Sequence, residues 1–345
     1  MKLIKSSILL VIIVFTYNKV DAQQDAHFSH YMFNHLYFNP GYSGVEGVTR
    51  ATILHRSQWL GYDGIDPGGA PTTQLLTVSH PLKMFGSYTV NSGVGLALTT
   101  DRLGPWRIFN LKLSYAYHIK LKNGGTLSTG LRVGLYQQGI DGSILRAVDQ
   151  TDDIVDELRS SSRNRQLKAD VDAGIYYNTR KYYAGITVTH INNPSFRFTG
   201  DAINSQLASH LFITGGYHLN VGSNIVVTPN AFVQTDFSET TYLVGALANI
   251  NRFKYWGGIS VRQSIVNNPV GESGKQLNND DLILLIGTSF LNSNALRVGY
   301  AFDLVTSGTS AKSNTSHEIM VSYVIPYSKE ANYTPIKTPR YRKVE

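Results

Sequence analysis

Side chains that could do chemistry occur here as two serine–histidine pairs, Ser209 with His210 and Ser316 with His317. A nucleophilic serine needs its general base within hydrogen-bond reach. Both pairs lie in strand-like sequence, where adjacent residues point to opposite faces, so neither pair meets that requirement. We therefore predict that the protein is not an enzyme.

Three histidines, His27, His30 and His35, form a second reactive cluster, with only Asp25 as a nearby acidic residue. The spacing of the first two occurs in metal sites. The sequence has no cysteine, however, and an extended chain would not direct all three rings at one ion. We predict no metal and no cofactor.

The segment 138–167 carries a run of acidic residues followed by arginines. Within it, Ile154, Val155 and Leu158 recur at helical spacing, and the ligand spacing of an EF-hand is missing. The pattern favours a solvated amphipathic helix on a surface loop, with calcium or partner binding as the alternatives.

The elements that must position these groups are strands, because apolar and polar residues alternate along most of the chain. Leu131 and Val133, for example, lie on one face and Arg132 lies on the other. Several strands have 10 to 12 residues, as a tilted transmembrane strand requires, whereas globular strands have about 5 or 6. We predict an all-β fold, a transmembrane outer-membrane β-barrel of about 14 antiparallel strands, at 47–58, 72–80, 91–100, 106–121, 126–137, 168–178, 181–190, 206–220, 224–235, 240–250, 252–263, 281–291, 294–304 and 316–325.

The lengths of the connections support this prediction, because outer-membrane barrels have short periplasmic turns and long external loops. Short links such as 123–125 follow the even-numbered strands. Long links such as 59–71 follow the odd-numbered ones, with 81–90 as the exception. The alternation predicts that both termini are periplasmic. The three-residue turn predicts that Lys122 faces Thr126.

The ends of the chain differ in composition from its middle. Two lysines precede an apolar run and a small residue, Ala22, which is the pattern of a secretory signal peptide. The net charge of +7 rests partly on the last residues, a polar tail rather than a nucleic-acid patch. We predict a signal peptide at 1–22, an aromatic periplasmic segment at 23–46, the barrel at 47–325 and a basic periplasmic tail at 326–345.

If the apolar faces meet lipid, the charged residues of the opposite faces point into the lumen. They could line a pore or bind an inserted segment, since fourteen strands leave room for water or for a plug. The predicted lumen-facing residues are Lys112, His118, Lys120, Arg132, Asp170, Asp172, Lys254, Arg262, Arg297, Asp303 and Glu318.

A series of short motifs resembles the PorP/SprF family of Bacteroidetes outer-membrane proteins. It begins with Gln24-Asp25 and continues with Tyr-Met-Phe-Asn at 31–34 and Asn-Pro-Gly-Tyr-Ser-Gly at 39–44. Further matches are Arg-Ser-Gln-Trp at 56–59 and Ser-His-Glu-Ile at 316–319, so the resemblance covers essentially the whole mature chain.

The resemblance implies an outer-membrane component of type IX secretion and gliding, without an active site. Besides outer-membrane lipid, it implies as partners the periplasmic ring proteins, a peptidoglycan-binding lipoprotein, and a secreted or surface-anchored protein, such as a large adhesin, with a C-terminal sorting domain. Without the resemblance, the alternative is a passive porin or small-molecule channel. A soluble β-sandwich would also alternate, but with shorter strands.

The aromatic stretch 24–44 would be costly to leave exposed. We predict that it either folds into the periplasmic mouth of the lumen or docks a periplasmic partner. The loop 59–71, together with 138–167, is the surface predicted to touch the secreted protein. The predicted partner-binding residues are Phe28, Tyr31, Phe33, Asn34, Tyr37, Asn39, Pro40, Tyr42, Trp59 and Tyr62.

Overall fold

The computed structural model describes residues 25–60, 69–82, 91–145, 153–160, 164–199, 203–267, 275–291, 294–306 and 315–325. The predicted signal peptide, Tyr62 and the predicted tail lie outside these residues. No helix in the described ranges is long and apolar enough to cross a bilayer.

Fourteen antiparallel strands of the described chain close into one barrel, which confirms the predicted fold class. The first and last strands pair, from Thr49 opposite Ile325 to Ser57 opposite His317, so the sheet has no free edge there. One barrel strand is interrupted at His218, between residues 210–217 and 219–221, but both parts keep a single register against the strand at 225–235. The barrel strands are β1 (Thr49–Ser57), β2 (Thr72–Leu82), β3 (Ser92–Leu103), β4 (Trp106–Lys120), β5 (Thr126–Ile140), β6 (Arg165–Asn178), β7 (Tyr182–Thr189), β10 (His210–Tyr217) with β11 (Leu219–Val221), β12 (Ile225–Thr235), β13 (Glu239–Ile250), β14 (Tyr255–Asn267), β15 (Lys275–Phe290), β16 (Leu296–Val305) and β17 (Ser316–Ile325). A separate hairpin of β8 (Ser195–Phe198) and β9 (Ile203–Gln206) lies in the link after β7.

The alternation along each strand decides which side chains face outward. On β4 and β5, Leu113 and Leu131 are 59% and 64% exposed, whereas the neighbouring Lys112 and Arg132 are buried. Apolar residues on the outside thus alternate with polar residues on the inside, as in a barrel that lies in lipid.

The turn between β4 and β5 differs from the prediction by two residues. Lys120 lies opposite Thr126, and the N–H of Leu121 donates to the carbonyl of Gly125 at 2.8 Å. The turn therefore occupies residues 122–124, with Gly124 at φ +80°, the left-handed conformation that favours glycine. The prediction that Lys122 faces Thr126 was wrong, although the predicted faces of both strands were right.

The barrel has two distinct ends. We call the end where β1, β5 and β7 finish the long-loop end, and the end where β1 begins and β17 finishes the short-turn end. The predicted alternation of link lengths holds for most of the barrel. At the long-loop end, however, the links after β3 and after β12 are also short.

Residues 25–48, which we call the luminal segment, run through the inside of the barrel. Asp25 contacts His190 and His210 at the long-loop end, whereas β1 starts at the short-turn end. Asp25 and Ile325 thus lie at opposite ends of the barrel, and the periplasmic location of both termini stays a prediction.

The luminal segment is folded into helical turns rather than a strand. The wall strands are already paired with each other, so the segment cannot join the sheet and satisfies its backbone groups within its own turns and with side chains of the wall. It forms a 3-10 turn (Tyr31–Phe33), the short helix α1 (His35–Phe38) and a second 3-10 turn (Pro40–Tyr42).

The predicted helix in 138–167 is present as α2 (Asp153–Ser160). Its buried Leu158 belongs to an apolar cluster with Phe196 and Phe198 of the β8–β9 hairpin and Tyr136 of β5. This cluster joins the two longest described links at the long-loop end.

Candidate functional site

The luminal segment lies directly against the wall where two strands carry glycine. A Cβ at Gly93 would collide with the carbonyl of Ser43, and a Cβ at Gly130 would collide with Pro40 and with the nitrogen of Gly41. The missing side chains therefore make room for residues 40–44, on the side of the lumen nearer the short-turn end.

Aromatic side chains fill the lumen beside this contact. Phe38 packs edge-on against Phe212 and Phe232, with ring centroids 5.6 and 4.6 Å apart. Phe33 packs against Trp256 at 4.5 Å. Burying these rings against the wall removes them from water and stabilises the segment inside the barrel.

The first of two polar networks, which we call the Ser29 network, ties the segment to β1, β16 and β17. The backbone N–H groups of Ser29 and His30 each donate to Glu318 at 2.8 Å. The Ser29 hydroxyl lies 2.7 Å from both Asp303 and Arg56. Arg56 also pairs with Asp303 at 2.7 Å and with Glu318 at 3.3 Å, so these buried charges compensate each other.

The second, the Arg132 network, ties the segment to β4, β5 and β6. Nη1 of Arg132 donates to the carbonyls of Leu36 and Tyr37, at 3.2 and 2.6 Å. These carbonyls belong to the last turn of α1 and have no partner within so short a helix. Nε of Arg132 pairs with Asp172 at 2.5 Å, and Lys112 pairs with Asp172 at 2.9 Å.

Asp170 extends the Arg132 network back to the start of the luminal segment. It pairs with Lys112 at 2.6 Å and with Nδ1 of His190 at 2.8 Å. Nε2 of His190 lies 3.1 Å from Asp25. Burial lowers the pKa of His190, but the carboxylates of Asp25 and Asp170 outweigh that effect and raise the pKa to about 9.

The three clustered histidines of the luminal segment are kept apart. Nδ1 of His30 lies 2.7 Å from Glu318, whereas the ring of His35 packs among tyrosines, 4.9 Å from Tyr183. Burial lowers the pKa of His35 to about 4. Burial, helped by nearby arginines, lowers the pKa of His27 to about 3, so both are neutral at pH 7.

The two residues of each serine–histidine pair bond to different partners. The Ser209 hydroxyl donates to the carbonyl of His190 at 3.1 Å, and Nδ1 of His210 lies 3.0 Å from the carbonyl of Ala208. Ser316 accepts from the N–H of Trp59 at 3.2 Å, and His317 pairs with Tyr300. This arrangement gives neither serine a general base beside it.

The predicted lumen-facing residues fall into three groups. Lys254 and Arg297 are half-buried, Lys120 is exposed, and the rest are buried, namely Lys112, His118, Arg132, Asp170, Asp172, Arg262, Asp303 and Glu318.

The predicted partner-binding residues mostly lie inside the barrel. Those that are buried are Phe28, Tyr31, Asn34, Asn39 and Pro40, and those that are half-buried are Phe33, Tyr37, Tyr42 and Trp59. For the residues of the luminal segment, contact with a partner stays a prediction, because it requires the segment to leave the lumen.

Sequence reasoning missed His190 and the role of Asp25. The inward residues of β7, such as Thr187 and Thr189, are odd-numbered, so alternation assigns His190 to the outside. His190 instead has φ +54°, a left-handed turn that brings its ring back inside. A pattern of alternation cannot reveal such a turn.

The fold and the site define an outer-membrane-type antiparallel β-barrel whose lumen is occupied by its own N-terminal segment. Residues 20–323 match the family described as type IX secretion system membrane protein PorP/SprF. The chain therefore belongs to the PorP/SprF family of type IX secretion system membrane proteins.

Solved outer-membrane barrels are similar to this chain in fold. The CymD monoaromatic hydrocarbon channel has a TM-score of 0.48 at 10% identity, covering 86% of this chain and 91% of that one. A FadL homologue from Pseudomonas aeruginosa has a TM-score of 0.41 at 9% identity, covering 80% of this chain and 90% of that one. No curated protein matches the chain. At these identities the likeness concerns the fold alone.

Proposed function

We propose that this protein is a closed, non-enzymatic outer-membrane component of type IX secretion and gliding. In this role it binds the periplasmic ring proteins and a peptidoglycan-binding lipoprotein, and helps to secrete or anchor a cell-surface protein such as a large adhesin. The observation that carries the proposal is the occupied lumen, since residues 25–48 run through the barrel. A barrel filled by its own chain offers partners a rigid surface rather than a path for solutes.

The alternative, a passive porin or small-molecule channel, needs a continuous water-filled path. Where Tyr37 faces Lys112 and Arg132, segment and wall leave a cavity of about 10 Å³, room for about one water molecule. The charges of the Ser29 and Arg132 networks are paired with each other and with the segment, so they do not line an open pore. Both observations favour the closed barrel.

The long-loop end is the surface that we propose for the secreted protein. Trp59 is held there at φ +52°, with its N–H bonded to Ser316, and Leu60 beside it is 55% exposed. A tryptophan on a fixed backbone is the kind of anchor that protein interfaces use, and Leu60 adds apolar surface beside it. In this proposal the short-turn end faces the periplasm and meets the ring proteins.

Purification of the native protein in mild detergent, followed by mass spectrometry, tests this proposal. We expect the ring proteins and one large surface protein to be recovered with it. Trp59→Ala should lose the surface protein and keep the ring proteins. Lys122→Ala, an exposed change at the other end of the barrel, is the control that should keep the surface protein. Recovery of the barrel alone would count against the proposal.

Conductance in planar bilayers separates the closed barrel from the porin. We expect the wild-type protein to stay closed and a variant lacking residues 25–44 to conduct ions. Steady conductance of the wild-type protein would favour the porin.

A further inference from the structure

The luminal segment meets the wall at a cluster that the proposed function does not use. Asp25, His190 and His210 place one carboxylate oxygen and two imidazole nitrogens within 4.8 Å of one another. Both histidines are fully buried. Two imidazoles and a carboxylate are a donor set that Zn²⁺ accepts.

His210 presents a lone pair to this cluster. Its Nδ1 lies 3.0 Å from the carbonyl of Ala208, which can only accept, so Nδ1 carries the proton. Its Nε2 in turn accepts from the backbone N–H of Asp25 at 3.4 Å. This is the tautomer in which Nε2 can bind a metal ion.

The ring of His190 has a carboxylate close to each of its two nitrogens. Its Nδ1 lies 2.8 Å from Asp170, and its Nε2 faces both oxygens of Asp25, each at 3.1 Å. An ionised carboxylate only accepts hydrogen bonds, and so does Nε2 when the proton is on Nδ1. A positive charge must therefore lie between them, either a proton or a metal ion. A carboxylate behind the ring is also how metal-binding histidines are commonly held.

We propose that Asp25, His190 and His210 bind a divalent ion of the Zn²⁺ class, and that the ion fastens the luminal segment to the wall. Tetrahedral Zn²⁺ sets its donor atoms about 3.3 Å apart, close to the 3.1 Å between Asp25 and His190. Lys112 and Arg132 balance Asp170 and Asp172, and the ion would take the place of the proton between Asp25 and His190. The proposal is independent of the role in secretion.

Isothermal titration of Zn²⁺ alone into the detergent-solubilised protein, purified without a histidine tag, tests the site. We expect one Zn²⁺ per chain and slower hydrogen exchange in residues 25–34 when Zn²⁺ is bound. His210→Gln should weaken this binding at least tenfold and abolish the slowing. His317→Gln, whose histidine pairs with Tyr300 outside the cluster, is the matched control that should keep both.

Asp25→Asn is the second variant, because it leaves the barrel wall untouched even if His210→Gln disturbs folding. It should weaken Zn²⁺ binding as much as His210→Gln. Wild-type affinity in Asp25→Asn would place the zinc elsewhere and overturn the proposal. No binding by the wild-type protein at a tenfold excess of Zn²⁺ would also overturn it, since a proton alone would then occupy the gap.

Discussion

Replacing Arg132 by methionine should loosen the luminal segment without unfolding the barrel. The guanidinium donates to the carbonyls of Leu36 and Tyr37, which lie in the segment, and it pairs with Asp172 in the wall. Methionine fills much of the same volume but has no donor. Asp172 keeps Lys112 as an ion-pair partner at 2.9 Å, although Lys112 then serves both Asp170 and Asp172.

The size of the effect follows from the bonds that are lost. Hydrogen bonds from a charged donor contribute about 1.5–3 kcal/mol each. Two such bonds join Arg132 to the segment, so the free energy that holds it in the lumen should fall by about 3–6 kcal/mol. The population with a displaced segment should then rise about 10²- to 10⁴-fold.

Hydrogen exchange of residues 28–44 measures that population, and the amides of β13 and β14 report whether the barrel itself stays folded. Exchange of the segment should accelerate in Arg132→Met while these strands remain protected. Lys120→Met removes an exposed charge from the same sheet and should exchange as the wild-type protein does. Wild-type exchange of the segment in Arg132→Met would refute the role assigned to Arg132.

Three further perturbations test other features. His27 and His35 have folded-state pKa values below the ordinary value, so the stability from their burial is complete above about pH 6.5 and is lost as the pH falls toward 4. At pH 5 the protonation of each histidine should cost about 2 kcal/mol of the free energy that holds the segment in place, measured as lower protection factors of the segment amides. His35→Gln should partly restore this protection. Gly93→Val should displace Ser43 from the wall and expose residues 40–44 to protease, because the new Cβ would collide with its carbonyl. Leu131→Arg, at an outward position, should lower the free energy of unfolding by about 2–4 kcal/mol, measured by urea denaturation of the protein in lipid vesicles. Leu131→Ala should lower it by less.

The parts of the fold that could be predicted are those that follow from the local alternation of apolar and polar residues. Alternation assigns Leu131 to the outside and Arg132 to the inside from a few neighbouring residues, without reference to the rest of the chain. Residues two positions apart lie on the same face of a strand, so alternation cannot detect a register shift of two residues. For this reason the β4–β5 turn was misplaced.

The candidate site was harder to predict, because distant residues create it. Which carbonyl Arg132 meets depends on a segment nearly a hundred positions earlier in the chain. The inward turn of His190 depends on a single left-handed backbone conformation. The sequence predicted that the lumen charges could bind an inserted segment and that residues 24–44 could fold into the lumen, but it did not show which groups of that segment would meet which charges.

The Ser29 network lies at the seam where the barrel closes. Arg56 is on the first strand and Glu318 is on the last. Ser29 binds both residues and so connects the two strands whose pairing closes the barrel. Ser29 and Glu318 are 289 positions apart in the sequence. Contacts between such distant residues are among the slowest to form during folding. The earliest part of the described chain must wait for the last strand, and its docking then resists any sideways parting of that seam.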